Sequence, residues 1–124
     1  MKRPIHEHQV DRLDALLAPW KAAHLGARPS LGWARAIREA LGLSVSAFGR
    51  RLGMTHAGVR KLEAAEAAGV ITLASLYKLA EALDCDLRYA LVPRTSLSQR
   101  NRERVQAVVR SMLYQLTDPD REAW

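Results

Sequence analysis

The residues best placed to do chemistry lie between Val45 and Ala64, VSAFGRRLGMTHAGVRKLEA. Arg50, Arg51, Arg60 and Lys61 supply positive charge there, and no acidic residue precedes Glu63. Such a set suits a polyanion, because arginine and lysine take phosphate oxygens and a guanidinium can also bond the edge of guanine. The small and apolar residues indicate how these charges are held. Phe48 and Leu52 share one helical face, and Val59 and Leu62 share another beyond Gly53. Gly49, four places before that glycine, lets two helices cross closely.

The spacing therefore predicts two short helices joined by a tight turn, the second held outward as in a DNA-reading helix-turn-helix. Ser44 is the expected N-cap of the first, which runs to about Leu52, and Thr55 caps the second, which runs to about Ala64. AAEAAGVI follows as a connector with its break at Gly69.

Further elements must position this pair. Over residues 9–20, Val10, Leu13, Leu16, Leu17 and Trp20 recur at helical spacing, with Asp11, Arg12 and Asp14 on the other side. Pro19 falls near the end of that pattern, and Gly26 and Pro29 mark a linker. So short a helix cannot fold alone, and its apolar face must pack on the main domain or on a second subunit. Ser30 is the expected cap of the next helix, where Trp33, Ile37, Ala40 and Leu41 form one face and Gly42 ends the run.

Thr72 caps a later helix whose Leu73, Leu76, Leu79, Ala80 and Leu83 face the core. Leu87, Tyr89 and Leu91 then alternate with Arg88 and Ala90, a short strand pattern stopped by Pro93. A lone strand needs a pairing partner in this chain or its twin. Val105, Val108, Val109, Met112, Leu113 and Leu116 trace an amphipathic helix over about residues 97–117. Arg100, Arg102, Arg104 and Arg110 occupy its exposed face, and Asp118-Pro119-Asp120 ends it.

Composition narrows the function classes. The chain has 124 residues, enough for one compact domain with modest appendages, and an ordinary globular balance of apolar and charged residues. Its net charge of +6 suits a phosphate-bearing partner without proving one. The single cysteine, Cys85, excludes an internal disulfide framework and a multi-cysteine zinc site, and reads as a small, partly buried filler. No apolar run is long enough for a membrane helix, and MKRPIHEHQVDR lacks the apolar core of a secretion signal, so a cytoplasmic protein is expected.

The four central helices, with the outward one in third place, resemble the Cro/CI-type (Xre-like) helix-turn-helix family over roughly residues 32–92, most specifically in SVSAFGRRLGMTHAGVRKLE. In that family a small residue in the second helix lets the third approach, the turn is usually glycine, and two aliphatics anchor the reading helix. Gly49, Gly53, Val59 and Leu62 fit those slots. Gly49 stands where alanine is commoner, at a cost of about 1 kcal/mol in helix propensity. A closer similarity, in GWARAIREALGLS, in KLEAAEAAGVITLASLYKLAEALDCDLRYALVP and in the helical flanks, is to the bacterial group called mobile mystery protein A. Members of that group are typically encoded beside a Fic-domain protein, which implies the regulator half of a toxin–antitoxin-like pair.

The expected fold class is all-α: a Cro/CI-like (lambda-repressor-like) helix-turn-helix bundle with N- and C-terminal extra helices and one short β-strand. Its expected divisions are an N-terminal helical arm and linker over 1–29, a DNA-binding domain over 30–92 and a dimerising C-terminal helix over 93–124.

Thr55, His56, Ala57 and Arg60 are the candidate base readers at the start of the outward helix. Arg60 is the strongest, since its fork can bond guanine O6 and N7 together. His56 stands where family members often use glutamine, Ala57 offers a methyl contact to thymine, and Gly58 leaves room for close backbone approach. Phosphate contacts are expected from Ser44, Ser46, Arg50, Arg51 and Lys61, and from the helix start at Thr72 to Ser75. Other readings of these residues stay open. Arg50 and Arg51 could form a solvated face, or one could pair with Glu63; Thr55 could act only as a cap; His56 could be an idle surface residue. Trp33, Phe48 and Leu62 read as core.

His6-Glu7-His8 has no third ligand nearby, so no metal and no cofactor is expected. No phosphate loop and no nucleophile–base arrangement appears, and an enzyme is not expected. The reading that results is a sequence-specific DNA-binding regulator, a repressor of its own operon, bound to a palindrome on double-stranded DNA as a homodimer. Leu87, Tyr89, Leu91, Val105, Val109, Met112 and Leu116 are the expected dimer contacts. The competing reading is a protein-interaction module that neutralises a Fic-type toxin directly, with DNA binding secondary. The [Ser/Thr]-x-x-x-Glu-[Gly/Asn] helix of some small Fic inhibitors is absent from the sequence, which disfavours that route.

Overall fold

Capping residues divide the chain into six helices among the described residues, which run from 5 to 117 in this computed structural model. They are α1 (Ile5–Ala22), α2 (Trp33–Ala40), α3 (Val45–Leu52), α4 (His56–Ala68), α5 (Leu73–Ala82) and α6 (Leu97–Thr117). The expected stop at Asp118-Pro119-Asp120 lies outside the described residues. The helices fall into two units, one from Leu25 to Tyr89 and the other made of the described residues up to His24 and from Ala90 onward.

In the first unit each cap signal acts locally. The hydroxyl oxygens of Ser44, Thr55 and Thr72 accept the backbone N–H of Ala47, Gly58 and Ser75 at 3.0, 3.1 and 3.1 Å. These bonds satisfy N–H groups that the first turn of a helix cannot pair within itself. Gly53 ends α3 in the left-handed conformation, with φ of 67°, and the chain turns directly into α4. Ala34, Phe48, Val59, Leu79 and Leu83 form the buried core, with Ile37, Leu43, Leu52, Leu62 and Leu76 packed against it. Around that core α3 packs on α4 and α5, and α2 packs on α4. Cys85 is half-buried against the same core, and its thiol donates to the Leu83 carbonyl at 3.4 Å.

Several expectations are corrected here. The N-cap of α2 is Gly32, not Ser30, and no side chain at that position caps the helix. The Glu66 carboxylate of α4 does so from across the fold, accepting the N–H groups of Trp33 and Ala34 at 2.7 and 2.8 Å. Trp33 and Leu41 are 54% and 62% exposed rather than core. The inward row of α2 is Ala34, Ile37 and Arg38, because the Arg38 guanidinium finds a buried partner in Glu63. Leu73 is likewise exposed. Helix α4 extends to Ala68, so most of the expected connector is helical.

The expected β-strand is also absent. Among the described residues there is no strand, and Leu87, Tyr89 and Leu91 lie on irregular chain after α5. Alternation alone does not make a strand, because the backbone groups need a second segment at ladder distance, and none among the described residues supplies it. The bundle is all-α.

In the second unit α1 packs on α6, with Leu13 and Leu16 of its apolar row still exposed. α1 begins earlier than the periodicity suggested and holds Pro19 in its last turn. The Asp14 carboxylate accepts the N–H groups of Leu97 and Ser98 at 2.8 and 3.0 Å and the Ser98 hydroxyl at 2.8 Å, so α1 caps the start of α6. These backbone N–H donors, Ser98 first and Leu97 next, hold the Asp14 carboxyl below its ordinary value.

Candidate nucleic-acid interface

The outward face of α4 is built by what its inward face does. Val59 is fully buried, Leu62 is half-buried, and Glu63 and Glu66 both turn into the unit. Glu63 holds Arg38 through two bonds, Arg38 Nε to Oε2 at 2.7 Å and Nη2 to Oε1 at 3.1 Å. Arg38 also donates from Nη1 to the Leu43 carbonyl at 3.1 Å. The Glu63 hydrogen bonds raise the guanidinium above its already high ordinary pKa, so it stays charged in the interior. Glu66 closes α2, and Arg28 donates to the Glu66 and Ala67 carbonyls at 2.7 and 2.9 Å at the end of α4.

Both carboxylates of α4 are thus occupied inside. Thr55, His56, Ala57, Arg60 and Lys61 are all exposed. At 3.6 residues per turn, Ala57 and Lys61 lie one above the other on the side opposite Val59, Leu62 and Glu66. Arg60 is turned aside. It lines a cleft of about 600 Å³ between α2 and α4, with Leu31, Arg35, Arg38, Val45 and Glu63. Arg35 bonds Glu39 at 2.9 Å on the outer surface of α2, which lowers the Glu39 carboxyl pKa.

The expected phosphate contacts are divided by the structure. Ser44 and Ser46 lie exposed at the start of α3, with the Ser44 hydroxyl oxygen engaged as cap. Thr72 is exposed and Ser75 half-buried at the start of α5. Arg50 is exposed, whereas Arg51 donates to the Ala82 carbonyl at 3.1 Å, at the last residue of α5. Glu63 pairs with neither of these arginines.

The expected dimer contacts fall in different places. Leu87 lines an apolar groove with Trp33, Ile37 and Leu76, and Tyr89 and Leu91 are exposed. Val105, Val109, Met112 and Leu116 lie exposed along α6 in the second unit. Sequence reasoning missed Arg38 and Arg35 beside Arg60. Their signal was present, since Arg38 stands four residues after Ala34 on an otherwise apolar helical row, where a charge needs a partner.

Comparison with known proteins agrees with this geometry in one respect. A family model described as helix-turn-helix matches residues 35–89. No curated protein and no solved structure matches the chain. No helix among the described residues is long and apolar enough to cross a membrane. The matched segment runs from α2 through α5 and includes the α3–turn–α4 pair, so residues 35–89 are similar to helix-turn-helix domains.

Proposed function

We propose that this chain is a sequence-specific transcription regulator that represses its own operon, bound as a homodimer to a palindromic operator. The observation that carries this reading is the inward turn of Glu63 and Glu66, which leaves the exposed side of α4 with Thr55, His56, Ala57, Arg60 and Lys61 and no acidic residue before Ala64. A helix so presented can enter the major groove without like-charge repulsion from phosphate. Thr55, His56, Ala57 and Arg60 read bases, with Arg60 reaching from the edge of the helix. Ser44, Ser46, Arg50, Arg51, Lys61, Thr72 and Ser75 serve the phosphates, with Arg51 exchanging its bond to Ala82 for one to DNA.

One such domain reads only a few base pairs, so two copies on two half-sites supply the useful specificity. The protein acts where the DNA is, in the cytoplasm. The resemblance to mobile mystery protein A adds a Fic-type partner to this proposal, checked by co-purification with the product of the neighbouring gene.

The deciding experiment titrates the purified chain against its own upstream region and a scrambled duplex at physiological salt. Preferential binding to the native sequence, weakening steeply as salt rises, supports the reading. Equal affinity for the two duplexes overturns it.

A further inference from the structure

On α6, Val105, Val108, Val109, Met112, Leu113 and Leu116 form one continuous apolar stripe, and each is between 47% and 71% exposed with α1 in place. From His6 to His24 and from Ala90 to Thr117, no residue of the unit formed by α1 and α6 is buried. A helix of this length draws most of its stability from packing an apolar face, so the stripe calls for a cover.

The charges indicate what covers it. The first turns of α6 carry Arg100, Arg102 and Arg104 against a single Glu103, and the only charge from Val105 to Thr117 is Arg110. Arg110 stands two residues from both Val108 and Met112, which at 3.6 residues per turn puts it on the side away from the stripe. The described helix is therefore basic at its start and apolar over the rest of its length. A copy of itself laid antiparallel sets the apolar stripes against each other and keeps the two arginine clusters at opposite ends, whereas a parallel copy sets arginine beside arginine.

We propose that the α6 stripe is the interface with a second copy of this chain, packed antiparallel, with the two-fold axis between Val109 and Met112. With the two α1 helices it makes a four-helix unit. Specific interfaces bury about 1,000 Å² or more in total, a scale within reach of six half-exposed apolar side chains on each of two helices. The inference deepens the homodimer of the proposed function and rests on that reading for the identity of the occupant.

Single cysteines in a Cys85→Ser background test it on the full chain. An antiparallel pair centred between residues 109 and 112 holds each of these positions near its own copy, while the two copies of residue 102 stand roughly 25 Å apart along the axis. Val109→Cys and Met112→Cys are expected to cross-link to dimer with a short bismaleimide, and Arg102→Cys is not. Cross-linking of Arg102→Cys as efficient as that of Met112→Cys overturns the antiparallel arrangement. Sedimentation at micromolar concentration is expected to give two copies for the native chain and one for Met112→Glu, with the cooperative unfolding of residues 25–89 retained. A native chain that sediments as one copy, or a Met112→Glu dimer, overturns the interface. The outcome is separable from the operator test: specific operator binding without cross-linking at 109 and 112 removes only this interface, and cross-linking without operator preference removes only the regulator reading.

Discussion

Gly49 approaches Met54 so closely that a Cβ built on the glycine would lie 2.7 Å from the Met54 carbonyl oxygen and 3.4 Å from Val59 Cγ2. The carbonyl belongs to the backbone of the turn, which Gly49 itself closes by accepting the Met54 N–H at 2.8 Å. A methyl group there must push the turn away, and with it the start of α4. Alanine would gain about 1 kcal/mol of helix propensity, while overpacking of a tight crossing costs about 1–3 kcal/mol. Gly49→Ala is expected to lower stability despite that gain, as measured by urea unfolding. It should also weaken specific DNA binding more than binding to scrambled DNA.

The Arg38–Glu63 pair is buried, with both side chains nearly inaccessible, at 9% and 6%. Removing one member strands the other charge in the interior, at a cost of about 3–5 kcal/mol. Arg38→Met should show that loss in chemical denaturation, and Glu63→Leu a loss of similar size. The double variant should recover most of it, because no lone charge remains. A double-mutant cycle with no coupling would mean that the pair does not hold α2 to α4.

Three basic positions should respond differently in DNA titrations. Arg60→Ala is expected to lose about 1–3 kcal/mol of discrimination between the native operator and single-base variants. Lys61→Ala should weaken all duplexes alike and reduce the salt slope by about 0.9, the share of a single neutralised phosphate. Arg51→Ala should likewise weaken every sequence, together with a small loss of thermal stability from its bond to Ala82. A Lys61→Ala chain whose base preference shifts while its salt slope holds would exchange the roles assigned to Arg60 and Lys61.

Asp14 sets a pH dependence with a definite sign. Its carboxyl pKa is lowered in the folded chain by the N–H groups of Ser98 and Leu97. A depressed value means the contribution is present above the unfolded carboxylate value of about 3.9 and is lost as pH falls through the lower folded value. Amide exchange at Leu97 and Ser98 should therefore accelerate in acid, below about pH 4, more than at Ala47 or Gly58, whose acceptors are hydroxyls. Asp14→Asn should remove most of that acid sensitivity and raise exchange at neutral pH.

How far the fold was legible depended on the range of each signal. Ser44, Gly53, Thr55 and Thr72 bound their elements where the sequence indicates, because a cap or a turn acts within a few residues. Phe48, Val59 and Leu79 were readable as core from their period. The N-terminus of α2 was not, because its acceptor lies at Glu66 in another helix. Residues 65–68 read as connector because small residues and one glutamate carry no apolar period, yet the buried Glu66 is what the helix is extended to deliver. Leu87 to Leu91 misled in the opposite way, having the alternation of a strand without a ladder partner among the described residues. Of the candidate interface, the residue types were visible in advance. The sideways turn of Arg60 and the bond between Arg51 and Ala82 were not, since both follow from helix rotation and packing.

The attachment of α4 at both of its ends has a consequence for recognition. Its start is set against the turn by the close approach of Gly49 to Met54, and its last turns are fastened by Glu66 to the first N–H groups of α2 and by Arg28 to two carbonyls. A helix clamped in this way has little angular freedom left to surrender when it meets a duplex. The ordering entropy of its backbone falls on folding rather than on binding, and a mismatched base pair cannot be accommodated by a cheap tilt of the helix. On the proposed reading of α4, stiffness in the scaffold becomes selectivity at the groove.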